Sequence, residues 1–210
     1  MEPLFTAVDG RLFISPSGAP PGGPGLVVVD LGFGKTTVTT GVWSDAPPTS
    51  VRLDYGDAIA AVTTAIASRP PGPVCLCLES PLSYFINANG NPEARIDAEA
   101  ADKRYWYVNS GASVSLAGMF FLERLARCIG WRDGLFVLEA YSTNKPGAVC
   151  DACEAEEIGN ALRSATPSLE LPRAGSRPLR PDLVSGAPPI FMHQVSGAIP
   201  MRGKCKVPGH

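Results

Sequence analysis

The chain has 210 residues, of which 45% are hydrophobic, 18% charged and 8% aromatic. This length is sufficient for one domain of about 100 to 200 residues with a buried core. The 22 glycines and 21 prolines fall below the share that indicates disorder, and no apolar run is long enough for a membrane span. The formal net charge of −2 argues against a protein that coats nucleic acid with a broad basic surface. Because the first 25 residues lack the pattern of a signal peptide, we expect a soluble, cytoplasmic protein.

Three regions differ in composition. Residues 1–25 predict an N-terminal hairpin and linker, since Thr6 to Ile14 carries an Asp-Gly pair between apolar flanks. Residues 26–166 carry the periodic patterns of a folded domain. Residues 167–210 form a Pro- and Gly-rich basic extension that we expect to be poorly structured, with six basic residues and one acidic residue from Arg173 onward. A phosphate-contacting arm and a solvated C-terminal segment both fit this composition.

Three apolar runs predict buried strands, and each run finishes on a carboxylate. They are LVVVD at 26–30, VCLCLE at 74–79 and LFVLE at 135–139. Runs without polar alternation are typical of strands covered on both faces. The Thr- and Val-rich residues 36–43 follow the first run after a short connection and predict its hairpin partner.

Helical periodicity separates these strands. Helices are predicted at 56–68, in a stretch ending at Gly130 with an apolar stripe from Leu116 to Ile129, and at 151–163, with a further candidate at 94–107. Strands that alternate with helices predict an α/β domain with a largely parallel sheet.

The strand-terminal acids Asp30, Glu79 and Glu139 are the first candidate site. Ligands bind at the carboxyl ends of strands in such sheets, and three carboxylates at one edge would repel one another unless cations were bound. Mg²⁺ and Mn²⁺ prefer oxygen ligands, and Asp151 or Glu154 of the last helix would complete the set. The alternative is that each acid caps a helix or forms a surface ion pair.

Several segments of the sequence, taken in chain order, also resemble a known family. VVVDLGFGKTTVTTGVW, CLCLESPLSYF and LFVLEAYSTNKP, followed by an acidic helix, are similar to predicted nucleases of the ribonuclease-H-like superfamily that are related to RuvC-type resolvases. The resemblance implies a ribonuclease-H-like mixed sheet flanked by helices, with Asp30 on its first strand and Glu79 at the end of its fourth. It also implies that Glu139 follows the long helical region and that Asp151 supplies the last acid, with Glu154 or Glu156 as the alternatives.

The resemblance implies hydrolysis of phosphodiester bonds in DNA or RNA with Mg²⁺ or Mn²⁺. Asp30 would bridge two metal ions that Glu79, Glu139 and Asp151 hold, and Lys35 or Lys145 would stabilise the transition state. The partner is then nucleic acid and not a membrane, and a resolvase would act as a homodimer.

Two alternatives stay open. The same fold serves as a non-catalytic nucleic-acid-binding module when its carboxylates no longer bind metal. The turn Asp30-Leu31-Gly32-x-Gly34 with its Thr-rich hairpin also resembles the first phosphate loop of actin-like and sugar-kinase ATPases. Those proteins clamp ATP between two domains, and this chain has room for one.

Cys150 and Cys153 form a CxxC motif. A structural zinc site needs four ligands, and a second ligand pair at regular spacing is missing from the sequence. Ordinary packed thiols are therefore the favoured interpretation.

Overall fold

A computed structural model of the protein describes most of the central domain and short segments on either side. The described residues are 5–8, 11–14, 25–32, 39–72, 74–94, 100, 105, 107–108, 111–129, 135–141, 150–163, 177–178 and 194–198. The strands are β1 (Phe5–Val8), β2 (Arg11–Ile14), β3 (Gly25–Leu31), β4 (Thr40–Asp45), β5 (Pro48–Leu53), β6 (Val74–Glu79), β7 (Ser83–Tyr84), β8 (Leu135–Tyr141), β9 (Arg177–Pro178) and β10 (Gln194–Ala198). The helices are α1 (Tyr55–Ala67), α2 (Gly111–Ile129) and α3 (Asp151–Arg163).

Six of the strands form one mixed sheet in the order β10-β8-β6-β3-β4-β5. β3, β6, β8 and β10 pair in parallel, whereas β4 is antiparallel to both β3 and β5. Parallel neighbours need crossover connections, and α1 and α2 lie in the connections that lead to β6 and β8. The chain is therefore of the α/β class. Among the described residues, no helix combines the length and the apolar character that crossing a membrane requires.

Different helices cover the two faces of the sheet. On one face, Val29 packs in a cluster with Ile59 of α1 and Phe121 of α2. On the opposite face, Val28 packs in a second cluster with Ile158 of α3. Successive residues of a strand point to opposite faces, so β3 is buried on both, as its unbroken apolar run predicts.

The helix α1 confirms its sequence pattern. Asp54 caps it by accepting a hydrogen bond from the backbone N–H of Asp57 at 2.8 Å. Ile59, Val62 and Ile66 form its buried stripe. Three-and-four spacing of apolar residues was therefore a sufficient signal for this helix.

The helix α2 buries a different stripe from the predicted one near its start. Leu122 is buried as expected, but Leu116 is 54% exposed, and the small residues Ser115 and Gly118 face the interior instead. A Cβ atom on Gly118 would lie 2.2 Å from the hydroxyl oxygen of Ser80. The helix approaches the end of β6 closely, and a large side chain has no room there.

The antiparallel pairing of β1 with β2 confirms the predicted N-terminal hairpin, and that of β3 with β4 confirms the second. The strand β5 was not predicted. Its residues are mostly exposed, so it carries no apolar run for a sequence pattern to detect. The predicted helix at 94–107 lies largely outside the described residues, as does Gly130.

Strands near the C-terminal end of the chain bear on two expectations. Residues 167–210 were expected to be poorly structured; the structure describes 177–178 and 194–198 of them, where β9 pairs with β7 and β10 joins the central sheet beside β8. Glu139 was expected to end its strand, yet β8 continues to Tyr141 because its ladder with β10 continues to the pair Tyr141 and Ala198. Glu139 therefore lies inside a strand.

An ion-pair network around the carboxylate of Asp45 lies at the end of the sheet where β3 begins. Asp45 accepts hydrogen bonds from the guanidinium groups of Arg69 and Arg163 and, at 3.0 Å, from the backbone N–H of Leu26. Arg69 also donates to the hydroxyl of Ser44 at 2.9 Å. We call this group the Asp45 network; it joins the C-terminal end of α3 and the residues after α1 to β4.

Candidate metal centre

One row of residues crosses the sheet near the carboxyl end of β3. In the strand pairing, Arg52 lies beside Gly41, Gly41 beside Asp30, and Asp30 beside Glu79. Paired residues on neighbouring strands leave the sheet on the same face. This row belongs to the face that α3 covers, because Val28, two residues before Asp30, contacts that helix's cluster.

Three carboxylates meet above this row. Asp151 and Glu154 lie three positions apart in the first turn of α3 and therefore share one side of the helix. Ligand oxygens of Asp30, Asp151 and Glu154 all lie within 4.8 Å of one another. Asp30 is 0% exposed and Glu154 is 2% exposed, whereas Asp151 is partly exposed. We call these three residues the acidic cluster.

Two glycines, one directly after β3 and one on β4, allow α3 to begin directly above the sheet. A Cβ atom on Gly41 would lie 2.0 Å from the backbone oxygen of Asp151, and one on Gly32 would lie 2.8 Å from a carboxylate oxygen of Asp151. The hydroxyl of Ser50 on β5 donates a hydrogen bond to the backbone oxygen of Ala152 at 2.8 Å. These contacts place Asp151 over Asp30.

The structure separates the two remaining acids predicted from the sequence. Glu79 lies beside Asp30 on the neighbouring strand and on the same face. Glu139 pairs with Leu78, not with Glu79, and Leu78 belongs to the cluster that packs against α1 and α2. Glu139 is 2% exposed and lies on the opposite face of the sheet from Asp30.

A basic residue that the sequence analysis did not identify reaches the acidic cluster. The Nε atom of Arg52 lies 3.4 Å from a carboxylate oxygen of Asp151, and 46% of the Arg52 side chain is exposed. Its position depends on the pairing of β5 with β4, so only a prediction of β5 would have revealed it. The two lysines predicted to stabilise a transition state, Lys35 and Lys145, lie outside the described residues.

The electrostatics of the site concentrate negative charge. Two unit charges of the same sign 4.8 Å apart repel by about 3 kcal/mol at an effective dielectric constant near 20. The N-terminus of α3 offsets part of this repulsion, because its free N–H groups and dipole favour negative charge. Oxygen ligands held this closely are also the set that Mg²⁺ and Mn²⁺ prefer.

The floor of the site excludes water. Burial, together with the charges of Cys75 and Glu79, raises the pKa of the Cys77 thiol well above its ordinary value. Cys77 lies two residues before Glu79 on β6 and is fully buried. The carboxylates of the row therefore lie above an apolar layer in which their charges are poorly screened.

Comparison of the chain with protein-family models, curated proteins and solved structures found no match.

Proposed function

We propose that this protein is a divalent-metal-dependent nuclease that hydrolyses phosphodiester bonds in DNA or RNA. The observation that carries the proposal is the acidic cluster, in which oxygens of Asp30, Asp151 and Glu154 lie within 4.8 Å of one another. Asp30 and Glu154 are buried, so their charges are screened less than those of surface acids. Bound Mg²⁺ or Mn²⁺ balances this charge with the ligand type these ions favour.

The topology of the sheet supports the resemblance of the sequence to the ribonuclease-H-like superfamily. In the central sheet, Asp30 lies on the first strand in chain order and Glu79 ends the fourth. The last described helix contributes Asp151 and Glu154. The resemblance implies the same order of acids. Because β5 is the third strand of the central sheet in chain order, the strand that ends at Glu79 is the fourth.

The placement of the side chains suggests their roles. Asp30, Asp151 and Glu154 would hold the cations together with Glu79 on the neighbouring strand. The ions would supply activation of a water molecule and neutralisation of charge on the attacking and leaving oxygens. Glu139 has no part in this set, because it lies on the other face of the sheet.

Arg52 takes the role first considered for Lys35 or Lys145. Its side chain is about half exposed and lies beside Asp151 at the edge of the cluster. A guanidinium in this position binds a phosphate oxygen of the substrate with a fork of N–H donors. The partly exposed edge of the cluster at Asp151 and Arg52 is then the side from which nucleic acid approaches.

Thermal unfolding with and without Mn²⁺ tests the metal site. Wild-type protein should gain about 2.7 kcal/mol of stability at a free Mn²⁺ concentration of 100 times Kd, and Asp30→Asn should gain none. Glu156→Gln is the matched control, because Glu156 is an exposed acid on the same helix and lies outside the acidic cluster. It should respond to Mn²⁺ as the wild type does.

Cleavage of labelled single-stranded DNA, duplex DNA, four-way junctions and RNA tests the chemistry. Wild type and Glu156→Gln should cut at least one substrate with Mn²⁺, and Asp30→Asn should cut none. Mn²⁺ stabilisation without cleavage of any substrate would contradict the nuclease assignment and favour a binding module. Stabilisation by ATP with Mg²⁺, but not by Mn²⁺ alone, would favour a nucleotide-binding protein.

A further inference from the structure

The CxxC motif lies at the start of the helix that carries the acidic cluster. Cys150 immediately precedes α3, and its backbone oxygen accepts the hydrogen bond from the N–H of Glu154 at 3.0 Å. Cys153 lies in the first turn. Neither cysteine is in a disulfide, and both residues are partly exposed. A small molecule in solution can therefore approach this end of α3.

The two cysteines lie three positions apart at the start of α3, with Cys150 directly before the helix and Cys153 in its first turn. Residues three positions apart on a helix are neighbours, so both thiols lie at one end of α3, at the spacing that redox-active dithiols use.

The other described cysteines lack this combination. Cys75 and Cys77 are completely buried on β6, so an oxidant in solution cannot reach them. Cys128 is exposed on α2, where it has no second cysteine within its own helical turn. Accessibility and a neighbouring thiol coincide at Cys150 and Cys153.

We propose that Cys150 and Cys153 form a redox-active dithiol that closes to an intramolecular disulfide and thereby weakens cation binding by the acidic cluster. The oxidant is a small-molecule disulfide such as oxidised glutathione. One cysteine thiolate attacks this disulfide, which forms a mixed disulfide and releases one thiol. The second cysteine displaces the other thiol, so two protein thiols are oxidised and one disulfide is reduced to two thiols.

Closure acts on the cluster through the backbone of α3. A disulfide sets its own Cα separation and dihedral angles, so closure constrains the backbone of the first turn of α3. Asp151 lies between the two cysteines and Glu154 directly follows Cys153, so both acids that α3 contributes to the acidic cluster lie in this turn. A turn constrained in this way adjusts less well to a cation held against Asp30. This effect on cation binding rests on the proposed function.

The test uses the full chain, equilibrated with oxidised glutathione, quenched with acid, alkylated and analysed by mass spectrometry. We expect the peptide containing Cys150 and Cys153 to lose two hydrogens and both alkylation sites. Cys128→Ser should do the same, while Cys150→Ser and Cys153→Ser should stop at a mixed disulfide with glutathione. Mn²⁺ titration of the reduced and oxidised proteins then gives the effect on the cluster, about tenfold weaker binding after closure.

Each part of the proposal has its own contradiction. No such dithiol exists if Cys128 forms a mixed disulfide while Cys150 and Cys153 stay alkylatable. The same holds if Cys150 or Cys153 forms a disulfide with a different cysteine of the chain. If the disulfide forms and Mn²⁺ binding is unchanged, closure does not control the cluster. If the reduced protein shows no Mn²⁺ binding, the control of cation binding fails together with the proposed function, and the mass measurement still reports on the dithiol by itself.

Discussion

Two aspartates whose side chains are buried lie near opposite ends of the same sheet and have contrasting surroundings. Asp45 receives hydrogen bonds from two arginines and from the backbone N–H of Leu26. Asp30 lies within 4.8 Å of two further carboxylates. A protein that needs only stability satisfies a buried acid with its own cations, as at Asp45. Under the proposed function, the acids gathered around Asp30 bind cations from solution.

Replacing each aspartate with asparagine should give the largest difference in the free energy of unfolding. Asp45→Asn leaves the Arg69 guanidinium, whose side chain is 8% exposed, without its countercharge. We expect a loss of about 3 kcal/mol in the free energy of unfolding, measured by urea denaturation. Asp30→Asn removes repulsion within the cluster and should leave the metal-free stability unchanged or higher. An equal loss in both variants would mean that the acidic cluster is a structural group.

Gly41→Ala sharpens the comparison by disturbing the cluster through a neighbour. The added methyl group would meet the backbone of Asp151 at 2.0 Å, so α3 must shift at the end that carries the acids. We expect a cost of about 1 to 3 kcal/mol in urea denaturation and a smaller Mn²⁺-dependent rise in Tm. The Asp45 network, at the other end of α3, should remain intact.

The matched control is Gly56→Ala in α1, where the nearest atom to the added methyl would be 3.6 Å away. Alanine favours a helix over glycine, so this variant should be as stable as the wild type or more stable. A Mn²⁺ response in Gly41→Ala equal to that of Gly56→Ala would show that the contact between Gly41 and Asp151 does not position the cluster.

These contrasts also show what the sequence reveals and what it conceals. The bounds of β6 and α3 follow from local patterns, an apolar run and an acidic first turn, that need no knowledge of the neighbours. The face on which Glu139 lies depends on the register between β6 and β8. In that register Leu78, not Glu79, stands beside Glu139. A one-residue offset between strands moves a side chain to the other face, and no pattern within one strand encodes it.

The buried thiol of Cys75 on β6 should make the free energy of unfolding depend on alkaline pH. Burial raises the pKa of the Cys75 thiol to about 12 from an ordinary value of 9.0. The folded state therefore keeps a proton on Cys75 that the unfolded state loses above pH 9. The contribution of this protonated thiol to the free energy of unfolding is complete below pH 9 and is lost as the pH rises towards 12. At pH 10.5 the loss is about 2 kcal/mol.

Urea denaturation at pH 8 and pH 10.5 measures this loss. Cys75→Ala should be less stable than the wild type at pH 8, because it leaves a small cavity, and should lose less stability on going to pH 10.5. Identical losses in the two proteins would show that Cys75 is ionised as readily in the folded state as in the unfolded chain. The layer beneath the carboxylates would then admit water.

The smallest expected effect separates Glu79 from Glu139, two buried glutamates on adjacent strands of one sheet. Glu79→Gln should reduce the Mn²⁺-dependent rise in Tm, because Glu79 lies beside Asp30 on the face that α3 covers. Glu139→Gln should shift Tm equally with and without Mn²⁺, since its side chain lies among the residues that pack against α1 and α2. A Mn²⁺ response that depends on Glu139 and not on Glu79 would place the cation on the other face of the sheet. The contrast between Asp45 and Asp30 would then say nothing about metal binding.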